Sequence, residues 1–217
     1  MRDTHPDTTR IEGIAAPLPA PNLDTDQIMP KQFLRGIDKS GLGRGLLYDL
    51  RFDAAHRPRP DFVLNRPEYR NTRILVGGSN FGCGSSREHA VWGLQQYGIR
   101  AVIAPSFGEI FYSNAMNNRL LLVMLPEDVV QRIMADAGDP ATAAVAIDVA
   151  AMTVRSHGIE AAFSLSERHR HMFLEGLDMI GATLALDERI RDFQRRHEAA
   201  RPWLKDVARV TRARLDA

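Results

Sequence analysis

The chain has 217 residues, 44% of them hydrophobic and 25% charged, with a formal net charge of +1. Those values predict an ordinary globular core and exclude nucleic-acid binding through a broad basic surface. No apolar run approaches the roughly 18 residues that span a membrane, and the start lacks the charged and apolar regions of a secretory signal, so a cytoplasmic protein is expected.

Residues 1–10 are polar and read as a flexible N-terminus. Ile11 to Ile14 read as a short strand. A segment punctuated by Pro17, Pro19 and Pro21 leads into Asn22-Leu23-Asp24-Thr25-Asp26-Gln27-Ile28. Two acids and Lys31 share this polar stretch without EF-hand spacing, leaving a ligand site or an Asx-turn and helix cap. Pro30 is placed to start a helical turn at Lys31. Gly36, Gly41, Gly43 and Gly45, with Arg35, Lys39 and Arg44, make 35–45 a flexible basic loop, either functional or a plain connection. Residues 53–72 read as a proline- and arginine-rich connection with Phe62-Val63-Leu64 packed locally.

Ile74-Leu75-Val76 then predicts a strand, Gly77–Ala90 a glycine-rich loop, and the residues to Tyr97 a helix ended by Gly98. Strands at 100–104 and 120–125 alternate with helices at 106–117 and 126–136, which argues for a parallel α/β unit. Short β patterns follow at 145–149, 152–155 and 160–165, with a turn near His157-Gly158. Helical patterns occupy 167–174 and 184–198. The tail carries Arg201, Lys205, Arg209, Arg212 and Arg214 at a spacing that suits a solvated helix face.

The loop Gly77–Ala90, GGSNFGCGSSREHA, concentrates the chemistry. Its glycines let backbone N–H groups approach a ligand. Ser85-Ser86-Arg87-Glu88 fits a capping box with Ser85 as N-cap. A helix start offers free N–H donors to an anion, and Arg87 adds a planar fork for a carboxylate or phosphate. No Gly-Lys-Ser/Thr closes the loop and no third glycine completes a dinucleotide fingerprint. His89 is expected to be a hydrogen-bonded structural residue. His169 and His171, two apart, fall on different helix faces and make no metal site. Cys83, the only cysteine, reads as a small packed residue or as a reactive thiol activated by its neighbours. It cannot alone supply an iron–sulfur cluster, which takes roughly three or four thiolates.

The run Asn80 to Ala90 resembles the signature of the 3-isopropylmalate dehydratase small-subunit family. Asp24-Thr25-Asp26 with Ile28 and Pro30 to Leu34 is similar to that family's N-terminal motif. Ile103 to Phe107, Ile110-Phe111-Tyr112, Asn114 and Asn117-Asn118 are similar to its next block, and Gly176 to Leu184 to its C-terminal block. The likeness covers about residues 10–195.

The resemblance implies an α/β fold, an aconitase swivel-type domain with a mixed β-sheet core and flanking helices. Its boundaries are expected at 11–198, with a basic tail over 199–217. It implies half of a hydro-lyase that interconverts 2- and 3-isopropylmalate by dehydration and rehydration in leucine biosynthesis. The partner would be a large subunit, in a heterodimer or heterotetramer, carrying a [4Fe–4S] cluster. The ligand would be a small dicarboxylic hydroxy acid, with no nucleic acid or membrane involved. Ser85 would abstract the proton, and Ser86 and Arg87 would hold a substrate carboxylate. Asp24, Thr25, Asp26 and Lys31 would line the facing loop, and Arg35 to Arg44 would form a mobile loop near the substrate side chain. Ser79 and Val91 stand where the family usually has an acid and often a proline. A related hydro-lyase acting on another malate-like acid, such as a substituted maleate, and a non-catalytic anion-binding module stay open as alternatives.

A serine hydroxyl is a weak base. A helix dipole contributes about 0.3–1 kcal/mol, at best about 2. One pKa unit takes about 1.36 kcal/mol. Activation must therefore come mainly from other groups around Ser85.

Overall fold

The computed structural model describes residues 9–34 and 40–216. The chain divides into two compact units, Met1–Asp178 and Met179–Ala217. The first holds one seven-stranded mixed sheet. Its strands are β1 (Arg10–Leu18), β2 (Thr72–Gly77), β3 (Ala101–Ala104), β4 (Leu121–Met124), β5 (Ala144–Asp148), β6 (Thr153–Ser156) and β7 (Ile159–Ala162), in spatial order β4-β3-β2-β1-β5-β6-β7. β1 to β4 run parallel, and β5, β6 and β7 continue from the other side of β1 as antiparallel neighbours.

The parallel half follows from unbroken apolar runs. Ile74, Leu75 and Val76 in β2, and all four residues of β3, are fully buried, as expected of strands covered on both faces. Each such Val, Leu or Ile contributes about 1.5–3 kcal/mol of burial. Six helices accompany the sheet: α1 (Thr25–Ile28), α2 (Tyr48–Arg51), α3 (His89–Tyr97), α4 (Glu109–Asn117), α5 (Glu127–Gly138) and α6 (Glu167–Leu174). α5 packs on β1, β2 and β3 through Val130, Ile133 and Ala137. α3 ends at Gly98, whose φ of 117° admits the left-handed cap its position predicted.

β1 is longer than the predicted 11–14 because it has two different partners. Residues 10–14 pair antiparallel with β5, and residues 14–18 pair parallel with β2. Pro17 lies beyond the end of the β5 ladder, where its missing N–H breaks no pairing there. The 53–72 connection is tied down by Tyr69, fully buried, whose hydroxyl donates to the Ala137 carbonyl at 2.8 Å. The second unit is helical: α7 (Met179–Leu184), α8 (Asp187–Ala200), a 3₁₀ turn (Pro202–Leu204) and α9 (Val207–Leu215).

The glycine-rich loop folds around one tight point. Gly82 has φ +75°, and a Cβ there would be driven into the Phe111 ring. Gly82→Ala is expected to cost about 2–4 kcal/mol from strain and overpacking together. The shift of the urea midpoint measures it.

Candidate functional site

Three loops leave the C-terminal ends of the parallel strands β1, β2 and β3, the edge where open α/β sheets bind ligands. Backbone hydrogen bonds lace them together. Gly78 N–H donates to the Leu18 carbonyl, Asn22 N–H to that of Ser79, Gly82 N–H to that of Leu23, and Thr25 N–H to that of Cys83. On the other side Phe81 N–H donates to the Ser106 carbonyl, and Gly108 N–H to that of Phe81. The glycine-rich loop is thus held between the two others before any ligand arrives.

Ser85 is not the helix cap that its sequence predicts. α3 begins four residues later at His89, and Glu88 occupies the cap position without a side-chain cap bond. Both capping-box partners are engaged by other elements. The Ser85 hydroxyl lies 2.9 Å from the Thr25 hydroxyl, and the Ser85 N–H donates to the same Thr25 Oγ1 at 2.9 Å. The Glu88 carboxylate accepts from Asn118 Nδ2 at 3.3 Å. Dipole effects fall off within the first turn, so α3 contributes little to Ser85. Thr25 is only 4% exposed. Thr25 Oγ1 accepts from the Ser85 N–H and keeps a second lone pair, so either hydroxyl can donate in the pair and the Thr25 proton is free to turn toward Ser85 Oγ. This places Thr25 behind the serine.

Arg87 meets Asp26: Nη1 donates to Oδ1 at 3.1 Å, and the other carboxylate oxygen faces Lys31 Nζ at 3.5 Å. The Arg87 and Asp26 side chains are 44% and 41% exposed. Such a pair is worth about 0–1 kcal/mol in the free chain. Asp26 thus touches one edge of the guanidinium and leaves the group partly exposed. Asp24 is used differently, as the N-cap of α1: its carboxylate accepts from Gln27 N–H at 2.7 Å, while Gln27 Oε1 accepts from Asp24 N–H at 3.0 Å. The helix-cap reading of this stretch holds for Asp24. Thr25, Asp26, Met29, Leu34, Ser85, Arg87 and His89 line a narrow cleft too tight to admit a water molecule in the free chain.

Ser86 is exposed, and its carbonyl accepts from Asn114 Nδ2 at 3.1 Å. Asn114 and Asn118 lie one helical turn apart at the end of α4 and brace the loop that carries Ser85, Ser86 and Arg87. Asn118 Oδ1 also accepts from Trp92 Nε1 at 3.1 Å, and its carbonyl from Gln95 Nε2 at 2.6 Å, which ties α4 to α3. In the sequence these asparagines stood out only as members of a longer block; their i, i+4 spacing was the available signal. Asn118→Ala is expected to cost about 1–3 kcal/mol. It should also raise amide hydrogen exchange at Ser85 to Arg87 relative to β2, read by mass spectrometry.

His89 departs from the hydrogen-bonded residue expected. Its ring packs on Trp92 at 4.9 Å between centroids, and its buried Nδ1 has no hydrogen-bond partner among the described residues. Cys83 Sγ donates to the Asn22 carbonyl at 3.4 Å, in keeping with a packed loop residue. Of the basic loop, Arg35 to Lys39 fall outside the described residues. Leu42–Gly45 forms a 3₁₀ turn seated on α3, where Gln96 Oε1 accepts from Leu42 N–H at 2.8 Å. Ser79 contributes a carbonyl to Asn22, and Val91 is fully buried in α3; neither side chain lines the cleft.

Known proteins with the same features are numerous. A family model described as the aconitase C-terminal domain matches residues 6–128, and one described as the C-terminal domain of the 3-isopropylmalate dehydratase small subunit matches residues 179–207. The chain is 70% identical over 207 residues to a 3-isopropylmalate dehydratase small subunit 1 from Chromobacterium violaceum, covering 95% of this chain and 98% of that one. It is 48% identical to a 3-isopropylmalate dehydratase small subunit from Phenylobacterium zucineum, covering 91% and 97%. Among solved structures, a crystal structure of 3-isopropylmalate dehydratase from Methanocaldococcus jannaschii aligns with a TM-score of 0.61 at 26% identity, over 85% of this chain and 99% of the other.

Proposed function

The chain belongs to the 3-isopropylmalate dehydratase small-subunit family, with an aconitase-type swivel domain, and from that premise we propose that Ser85 is its proton-transfer group and Arg87 its substrate-carboxylate anchor. Members of this family are hydro-lyase subunits of leucine biosynthesis, so the assigned reaction is the dehydration and rehydration that interconverts 2- and 3-isopropylmalate.

The observation that carries the reading is the Ser85 hydroxyl 2.9 Å from the Thr25 hydroxyl, in a cleft that Arg87 also lines. Ser85 Oγ takes a proton from carbon as the hydroxyl on the neighbouring carbon departs. Returning the proton and water with their positions exchanged gives the isomer. The alkoxide character that Ser85 needs is favoured by the Thr25 O–H aimed at it, by the nearby Arg87 charge and by a closed site that excludes water. Arg87 presents the rest of its fork to a carboxylate while Asp26 holds one edge. Ser86 is exposed beside it and is assigned to the same carboxylate.

The iron–sulfur cluster of this reaction class has no donor set in this chain. Its one cysteine is Cys83, and the Sγ is engaged by the Asn22 carbonyl. We assign the [4Fe–4S] cluster to the large subunit, where it would act as Lewis acid on the departing hydroxyl. Proton transfer and carboxylate binding fall to this chain's own residues.

The test combines this chain with a cluster-loaded large subunit and assays 2-isopropylmalate beside substituted maleates. Turnover of isopropylmalate is expected from the pair and from neither chain alone. Negligible isopropylmalate turnover beside fast hydration of another acid would replace the assigned substrate.

A further inference from the structure

A second hollow lies at the other end of α3 from the cleft. Arg44, Tyr48, Arg51, Phe52 and Tyr97 line it with the glycine turn at 41–43, and its volume is about 580 Å³. Ligand pockets occupy about 300–1,000 Å³, with mostly apolar and aromatic walls and a few polar groups. The hollow and the cleft share no lining residue. Ala90 in the first turn of α3 lines the cleft, and Gln96 in the last turn lines the hollow, about 9 Å further along the axis. The walls are set before any ligand arrives. Gln96 Oε1 accepts from the Leu42 and Gly43 N–H groups at 2.8 and 3.4 Å. A Cβ on Gly43 would fall 2.9 Å from the Gln96 backbone, so the turn sits directly on α3. Tyr48 stacks on Phe52 at 4.5 Å between ring centroids.

Two cations line this hollow without a carboxylate to meet them. Arg57, Arg87 and Arg155 each pair with an acid, whereas neither Arg44 nor Arg51 forms an ion pair among the described residues. Arg44 is exposed and Arg51 half-buried. Arg51 is fixed: Nε donates to Asn65 Oδ1 and Nη1 to the Leu46 carbonyl, each at 3.2 Å. Its guanidinium carbon lies 5.2 Å from the Phe52 ring centre and 4.9 Å from that of Tyr97. Its Nη2 has no hydrogen-bond partner among the described residues. Burial pulls the Arg51 pKa below the ordinary arginine value, and an anion beside it offsets that desolvation.

We propose that this hollow is a second ligand site, for a small organic anion with a flat apolar body. Arg44 and Arg51 offer planar forks to a carboxylate or a similar group. The rings of Tyr48, Phe52 and Tyr97 take the body by stacking and edge contacts. Both halves of the ligand are needed. A neutral apolar molecule would desolvate two cations without pairing them, and that costs free energy. A bare inorganic anion would leave the aromatic walls facing water. The site does not depend on which acid the catalytic cleft turns over.

The probe is naphthalene-carboxylate, titrated calorimetrically into the full chain alone and into the chain assembled with the large subunit. The neutral naphthalene-carboxamide and inorganic phosphate represent its two halves. Saturable one-site binding of the carboxylate is expected in both preparations, with each half weaker by about tenfold or more, as loss of a hydrogen bond to a charged group implies. Arg44→Ala changes an exposed side chain and should weaken the carboxylate about tenfold or more. Arg51→Lys keeps the charge, loses the fork and should act the same way. Arg87→Ala, in the cleft, should leave the probe's affinity unchanged. Absence of saturable binding, equal affinity for the carboxamide, or undiminished binding to Arg44→Ala overturns the proposal. So does loss of binding in Arg87→Ala, which assigns the probe to the cleft. Displacement of the probe by the large subunit overturns it as well, by assigning the hollow to a protein interface.

Discussion

Ser85→Ala in the reconstituted enzyme is expected to lower kcat by about 10²–10⁴-fold, the range supplied by a positioned proton-transfer group. KM and affinity for the large subunit should hold. The substitution removes only Oγ: the Ser85 N–H still donates to Thr25 Oγ1 at 2.9 Å, so the loop keeps its tie to α1. Thr25→Val should cost about 10–100-fold in kcat, because one donor to a developing oxyanion is worth roughly that or more. The decisive measurement is the double variant. If Thr25 works through Ser85, the pair together is no slower than Ser85→Ala alone, because residues acting as a unit are not additive. Additive losses would give Thr25 an independent role and defeat this arrangement. Thr25→Ser keeps a hydroxyl and should recover most of the rate, which separates lost chemistry from lost packing.

That pairing marks where the sequence stops being legible. β2, β3 and β4 could be read because each is built on a short buried apolar run (Ile74 to Val76, Ala101 to Ala104 and Leu121 to Val123), a signal contained in the strand itself. The capping box at Ser85 to Glu88 obeyed a good local rule and still failed. Ser85 is claimed by Thr25, sixty residues away, and Glu88 by Asn118, thirty residues away. A local pattern states what a side chain can do next to its neighbours and nothing about what the fold brings to it. β1 was underread for a similar reason: its second half is extended because β2 lies beside it, against the warning given by Pro17. The residues of the candidate site were legible through resemblance to a family. Their division of labour became legible only with coordinates, with Asp24 capping α1, Thr25 behind Ser85 and Asp26 beside Arg87.

Arg87→Lys is expected to lower kcat/KM by about 10²–10³-fold, close to the effect of removing the side chain outright. Lysine keeps the charge but loses the planar fork, and a carboxylate held by two parallel N–H bonds is not held equally by a point charge. Truncating one partner of a desolvated, hydrogen-bonded charge pair costs about 2–5 kcal/mol, which sets that range. Asp26 then discriminates between two readings of the free chain. Its carboxylate takes only the Nη1 edge of Arg87 at 3.1 Å, and Lys31 sits 3.5 Å from its other oxygen. If Asp26 positions Arg87, Asp26→Asn keeps an acceptor and raises KM only about threefold to tenfold, and Asp26→Ala raises it further, since a hydrogen bond to a charged group is worth about 1.5–3 kcal/mol. If Asp26 instead blocks the fork, both substitutions lower KM. Stability separates neither case, because a half-exposed pair contributes about 0–1 kcal/mol and both variants should melt close to wild type. The sign of the KM change is therefore the measurement that matters. The one-edged contact, with the rest of the fork left for substrate, predicts an increase.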